Sequence, residues 1–397
     1  MTTPVDRWML PDGISEVLPP QAEQIEQLRR QILDLYGRWG YDLVIPPVLE
    51  FAESLLLGTN RDLDLQTFKV TDQLSGRSMG IPADITPQAA RIDAHSLNRS
   101  GPLRLCYAGH VLHTRPANAL ASRSPIQVGV ECFGIAGLMA DTEVISLMAE
   151  SLRCAGLARF TIGLGHVEIF RELAQQSSLD AEQTEALLDI LQRKAAPELE
   201  SFIQRQGISS ALAVCWRDLL KLNGDVAVLA RARKLLAHKG VAIQAALADL
   251  DYVAQGLQGR YPDVALHVDL AELPGYHYHN GIVFAAYVEG AGAAVANGGR
   301  YDALCELFGR ARPATGFNAD LLTLARLGQR GGSSRPGILA IASEEAPQWQ
   351  AIASLRAQGE RVVVLPAGVA EKTNELNCDR ELRLEQGRYL VRARVLN

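Results

Sequence analysis

A run of helical text interrupts a β-rich chain, and it constrains the fold more than any other feature of the 397 residues. From about 168 to 240 the stretches EIFRELAQQ, AEQTEALLDILQRK and DVAVLARARKLLAHK follow one another with apolar residues at helical spacing. Strand-like text lies on both sides, at about 103–114 and 126–135 before it, and in ALHVDL, GIVFAAYVEG and AAVANGG after it. A helical block between two β-rich stretches is the pattern of a subdomain inserted into a parent fold that then resumes.

The parent fold begins with a helix. Ile25, Leu28, Ile32 and Leu35 form an apolar stripe over 21–36 that stops near Gly37. YDLVIPPVLE follows as an extended segment, and Pro46-Pro47 removes two backbone donors, which places it at a sheet edge or an interface. TFKVTDQLSGRSMGI reads as a hairpin turning at LSGR, and helices are expected at about 86–98 and 141–155. Together these elements predict an α+β fold, an antiparallel sheet flanked by helices.

GQRGGSSRPG, at 328–337, has the composition of a flexible linker. Beyond it GILAIA, a helix over about 346–358 and RVVVLP make a small α/β unit over 338–397. The expected organisation is therefore 1–327 with its insertion, a linker, and a C-terminal unit.

Charge and cysteine usage exclude several classes. The formal net charge is -6 and the basic residues form no runs, so the overall balance gives nucleic-acid binding no support. Six dispersed cysteines with no C-x-x-C pair fit buried thiols of a reducing compartment. The first residues, MTTPVDRWML, are too polar for a signal peptide, and no apolar run approaches the roughly 20 residues of a membrane span. The expected location is the cytoplasm.

The residues 111–131, VLHTRPANALASRSPIQVGVE, read as strand, polar loop and strand. Gln127 and Glu131 are four apart on an alternating strand and share a face, which lines a pocket if it faces inward and water if it faces out. Asp84 precedes a helix start and is either a cap or a ligand group. Arg115 and Arg123 can hold an anion or form surface pairs. His277 and His279 are too few for a metal site, and none is expected. Gly298 and Gly299 suit a tight strand-to-helix turn, with Arg300 and Asp302 knitting it.

YDLVIPPVLE, PADITPQAAR, the 111–131 stretch, YHYHNGIVF and GGRYDALCELFG stand in an order and spacing that resembles the catalytic domain of histidyl-tRNA synthetase, a class II aminoacyl-tRNA synthetase. The resemblance covers about residues 8–324. It implies that Asp84 and Thr86 hold an α-amino group and that Gln127 and Glu131 face the amino acid. It also implies that Tyr278 and Tyr301 line the imidazole end, with His279 replacing the second of two paired tyrosines.

The departures from that family fall on charge. Where the synthetases carry an Arg-x-Glu pair this chain has Leu112 and Thr114, and where a Gly-x-Glu-Arg run supplies a second phosphate arginine it has Asp320, Leu322 and Thr323. Pro274 replaces a third arginine and His277 the aspartate after it. A charge-assisted hydrogen bond to phosphate is worth about 1.5–3 kcal/mol, so losing three removes on the order of 4–9 kcal/mol of nucleotide and transition-state binding. Only about 60 residues remain after the linker, fewer than an anticodon-binding domain needs.

A synthetase-like domain that keeps the amino-acid residues and loses the phosphate arginines is similar to the regulatory subunits of short-form ATP phosphoribosyltransferase. That resemblance implies a non-catalytic role without a cofactor, in the first step of histidine biosynthesis. The partner it implies is the phosphoribosyltransferase catalytic subunit, and the effector free L-histidine. It further implies a homodimeric core within a hetero-oligomer, with no tRNA bound. A working histidyl-tRNA synthetase or another amino-acid-activating ligase is the competing reading.

Overall fold

The computed structural model describes residues 8–57, 61–116, 121–273, 276, 278–328, 336–369 and 376–394. The chain divides into two compact units, Met1–Glu16 with Ile25–Arg330, and Val17–Gln24 with Gly331–Asn397.

The larger unit takes in α1 (Gln21–Arg38) from Ile25 onward, and the helix buries Ile25, Leu28, Ile32, Leu35 and Tyr36 along one face. Next come β1 (Asp42–Leu43), β2 (Glu50–Phe51), α2 (Ala52–Leu55), α3 (Arg61–Gln66), β3 (Phe68–Thr71) and β4 (Ser78–Ile81). α4 (Thr86–Arg91) leads to β5 (Leu103–His110), β6 (Ile126–Phe133) and α5 (Leu138–Cys154). β7 (Thr161–His166) then precedes the helical run α6 (Val167–Gln176), α7 (Ala181–Gln192), α8 (Ala196–Arg205) and α9 (Ser210–Leu219). After β8 (Asn223–Gly224) come α10 (Val228–Leu235) and α11 (Val241–Arg260), followed by β9 (Ala265–Asp269), β10 (Ile282–Tyr287) and β11 (Ala296–Arg300). The unit closes with α12 (Asp302–Leu307), β12 (Ala314–Asp320) and α13 (Leu321–Leu327).

Among the described residues the principal sheet has the order β1-β5-β6-β12-β11-β10-β7-β9-β8. Its centre, from β5 to β7, is antiparallel throughout, whereas β1 pairs with β5 and β9 with β7 in parallel. β1 is an edge strand, where the prolines that follow it cost no ladder bond. Buried Leu103, Leu105 and Tyr107 of β5 pack with Phe133, Ala89, Ala90, Tyr301 and Leu304 into one core beneath the start of α4.

Three sequence expectations change. The strand predicted over 103–114 ends at His110, although Val111 N–H and His113 N–H still donate across the loop to Pro125 O at 3.1 Å and Arg123 O at 2.8 Å. The alternate amides of Leu112 and Thr114 donate to Pro82 O at 3.0 Å and Gln66 O at 2.9 Å. The helix predicted over 86–98 is α4 for six residues and then a π-helical turn, Ile92–Leu97, ended by Asn98 at φ 45°. Gly298 and Gly299 lie within β11 rather than in a turn. A Cβ on Gly298 would sit 2.1 Å from Gly316 O, so it is close strand packing that requires glycine there. Of the linker expected at 328–337, residues 329–335 lie outside the described residues.

The smaller unit contains β13 (Gly337–Ile341), α14 (Ala346–Ala357), β14 (Val362–Leu365), β15 (Cys378–Glu385) and β16 (Arg388–Ala393), in sheet order β14-β13-β15-β16. Ile338, Ala340, Ile352, Val362 and Leu382 form its core. The β15–β16 hairpin was not anticipated from the sequence. Gln386 and Gly387 make its two-residue turn with positive φ at both positions, the geometry that matches the twist of the paired strands.

Candidate functional site

The first turn of α4 and the facing strand β6 bring Asp84, Thr86, Gln127 and Glu131 together, so the shared face of Gln127 and Glu131 points inward. Glu131 is wholly buried. Its Oε1 accepts hydrogen bonds from Thr86 Oγ1 at 2.8 Å and Tyr107 OH at 3.0 Å, while Oε2 accepts from Tyr301 OH. Three hydroxyl donors surround this carboxylate, and among the described residues no arginine or lysine pairs with it. Burial outweighs those hydrogen bonds and the Glu131 carboxyl is pushed up to about 8.

Asp84 sits half-buried at the other end. Its Oδ1 accepts from Thr86 N–H at 3.1 Å, from Gln127 Nε2 at 3.1 Å and, at 3.4 Å, from Asn318 Nδ2. Gln127 is held at both ends of its amide, because Ile85 N–H donates to its Oε1 at 2.8 Å. The Asp84 carboxylate therefore both caps the start of α4 and faces the site.

Tyr278 packs against the core beneath α4, and its ring centroid lies 4.3 Å from that of buried His279. Burial, and then the charges of Asp84 and Glu131, raise the Tyr278 phenol above its ordinary range. The Tyr107 and Tyr301 phenols are also raised, by burial first and then by the charge of Glu131. Pro274 and His277, two of the positions that depart from the synthetase pattern, lie outside the described residues.

Tyr107 was missed in the sequence. It stands opposite Gly129 in the β5–β6 register, and a Cβ on Gly129 would meet its hydroxyl at 2.6 Å. A tyrosine facing a glycine across an antiparallel pair was the available signal, but it emerges only once that register is known.

Beside Asp84 opens a cleft of about 260 Å³, lined by His113, Ser122, Asn297, Asn318, Asp320 and Arg326 among others. Of the positions where the resemblance places phosphate-binding arginines, Thr323 lines this cleft and carries no positive charge. Half-buried Leu112 presents an aliphatic side chain. Asp320 caps α13, accepting from Leu322 N–H, Thr323 N–H and, at 2.6 Å, Thr323 Oγ1. Thr114 Oγ1 donates to Leu65 O at 2.6 Å.

The two arginines considered as anion contacts have other positions. Arg123 donates to His113 O at 3.1 Å and Asp12 O at 2.9 Å, and its guanidinium stacks over Phe68 at 5.4 Å. It is a clamp for the loop before β6. Arg115 is exposed and does not line the cleft. By contrast Arg300 is knitted into the fold. Its guanidinium pairs with buried Asp141 at 2.7 Å and with Asp302 at 3.2 Å, and Asp302 accepts from Ala314 N–H at 2.8 Å.

Comparison with known proteins places the chain in a family. The histidyl-tRNA synthetase family model matches residues 13–324, and the model of the ATP phosphoribosyltransferase subunit HisZ C-terminal domain matches residues 335–392. The ATP phosphoribosyltransferase regulatory subunit of Thioalkalivibrio sulfidiphilus is 54% identical over 383 residues, spanning 96% of each chain. The chain belongs to the ATP phosphoribosyltransferase regulatory subunit family. A second member of that family, from Cellvibrio japonicus, is 51% identical over 390 residues and 98% of each chain. Among solved structures, an ATP phosphoribosyltransferase regulatory subunit/histidyl-tRNA synthetase from Bacillus halodurans superposes with a TM-score of 0.81 at 28% identity, covering 92% of this chain and 94% of that one. Histidyl-tRNA synthetase from Nostoc shares the fold, with a TM-score of 0.77 at 19% identity over 97% of each chain. The family's regulatory subunits are thus built on a synthetase fold, and no helix among the described residues is long and apolar enough to cross a membrane.

Proposed function

We propose that this regulatory subunit binds free L-histidine without activating it and conveys that occupancy to a short-form ATP phosphoribosyltransferase catalytic chain. The arrangement around Glu131 carries the proposal: a wholly buried carboxylate, three hydroxyl donors and, among the described residues, no cationic partner. Such a site favours a ligand that brings a hydrogen-bonding or cationic group of its own, as an imidazole does. Asp84 and Thr86 then receive the α-ammonium, and Tyr278 and Tyr301 close the ring end.

The competing reading, a synthetase, requires positive charge at the nucleotide phosphates. Leu112, Asp320 and Thr323 supply none, and the last two are committed to each other. The catalytically inactive reading rests on those positions. Feedback further requires that histidine bind two states of the assembly unequally; a coupling of about 1–3 kcal/mol suffices.

The extended segment after β1 supports a homodimeric core. Leu43, Ile45 and Val48 are exposed there by 51%, 87% and 69%, and a second copy would cover them. The subunit is proposed to act in the cytoplasm with its catalytic partner.

Calorimetric titration of histidine into the purified chain tests the reading. One site per chain is expected. Absence of heat from the folded protein at any pH between 7 and 9 rejects it.

A further inference from the structure

We infer that the cleft beside Asp84 is the carboxylate end of the amino-acid site, with the Asn318 side-chain amide as the donor that reads a free α-carboxylate. This rests on the histidine-binding reading and adds a specificity determinant to it.

The geometry of an α-amino acid starts the case. Two bonds of about 1.5 Å each separate the ammonium nitrogen from the carboxyl carbon. If Asp84 receives the ammonium, the group that meets the carboxylate must stand beside Asp84. Among the described residues the donors there are few. Thr86 Oγ1 is committed to Glu131, and Gln127 Nε2 is committed to Asp84 at 3.1 Å. Asn318 is different: its Nδ2 lies 3.4 Å from Asp84 Oδ1, at the long limit of a hydrogen bond, and the side chain is half-buried on the wall of the cleft. In the β11–β12 register its direct partner is Asn297, which lines the same cleft, so two adjacent amides face that space.

Charge explains why an amide suits the position. A ligand carboxylate entering here meets Asp84, with Glu131 and Asp320 nearby, and it needs donors to remain. An arginine at position 318 would pair with Asp84 and compete with the ligand's ammonium. An amide donates to the ligand carboxylate and leaves Asp84 free for the ammonium. Arg326, exposed on the cleft wall, adds positive charge farther from Asp84.

The test compares histidine with histidinol, which keeps the ammonium and imidazole and replaces the carboxylate by a hydroxymethyl group. Calorimetry on the full chain is expected to show histidinol at least about tenfold weaker than histidine. Asn318→Ala is expected to weaken histidine about tenfold and to leave histidinol within about twofold. Asn318→Asp keeps the shape and adds a negative charge. It is expected to weaken histidine more than Asn318→Ala does, without weakening histidinol. Melting curves check that both variants fold, and the wild-type ligand comparison needs no variant. Equal effects of both substitutions on the two ligands, or none on either, overturn the inference while histidine binding by the wild type stands. Failure of the wild type to bind histidine overturns both.

Discussion

Gly316 makes the space that Glu131 occupies. The two residues are register partners across β12 and β6, and a Cβ on Gly316 would lie 1.7 Å from Glu131 Oε2. The buried carboxylate, its three hydroxyl donors and the absent side chain opposite are one arrangement. Gly316→Ala should therefore displace Glu131, abolish histidine binding and cost about 1–3 kcal/mol of stability through overpacking. Titration and urea unfolding of the same preparation measure both effects.

Glu131 should also mark the pH dependence of folding. Its native pKa is raised from 4.5 to about 8, so between those values the unfolded chain has lost a proton that the native protein keeps. The contribution is absent below the unfolded value, destabilises increasingly as pH rises, and is complete above about 8. Its upper bound is about 5 kcal/mol. Glu131→Gln, which is neutral throughout, should gain thermal stability over the wild type as pH rises from 5 to 8, and should lose histidine binding. A constant difference in melting temperature across that range would show that Glu131 is not held in its neutral form.

A buried ion pair gives a mutational test of a different kind. Asp93 and Arg312 meet at 2.9 Å with side chains 1% and 7% exposed, joining the π-helical turn after α4 to the approach of β12. Arg312 also donates to Gly101 O at 2.7 Å. Asp93→Ala leaves a buried guanidinium uncompensated and should cost about 3–5 kcal/mol by urea unfolding. Breaking the exposed Arg30–Glu26 pair by Arg30→Ala should cost less than about 1 kcal/mol.

Much of this was readable from the residues because it is local. The stripe Ile25, Leu28, Ile32, Leu35 fixes α1, the alternation in IQVGVE puts Gln127 and Glu131 on one face, and the proline pair keeps its segment at an edge. The parts that were not readable depend on partners distant in sequence. Tyr107 joins Glu131 only through the β5–β6 register, and Asn318 reaches Asp84 only because β12 lies beside β6. Gly298 looked like a turn residue because local sequence does not show that Gly316 O lies against it. Arg123 looked free to hold an anion until the loop carbonyls of His113 and Asp12 were in place around it.

Loss of adenylation chemistry gives a separate expectation. Histidine-dependent exchange of pyrophosphate into ATP should remain at background for the wild type, and also for Leu112→Arg. One restored guanidinium contributes about 1.5–3 kcal/mol, less than the 4–9 kcal/mol or so removed with the full set. Exchange in the wild type at a rate ordinary for a synthetase would reinstate the catalytic reading.

The most direct measurement is the rate of ATP condensation with phosphoribosyl pyrophosphate by the short-form catalytic chain, recorded with and without this subunit and across a histidine titration. The rate is expected to depend on the subunit and to fall as histidine is added. With Glu131→Gln in place, the complex should remain active and stop responding to histidine. Full activity of the catalytic chain alone, or a complex indifferent to histidine, would contradict the regulatory role.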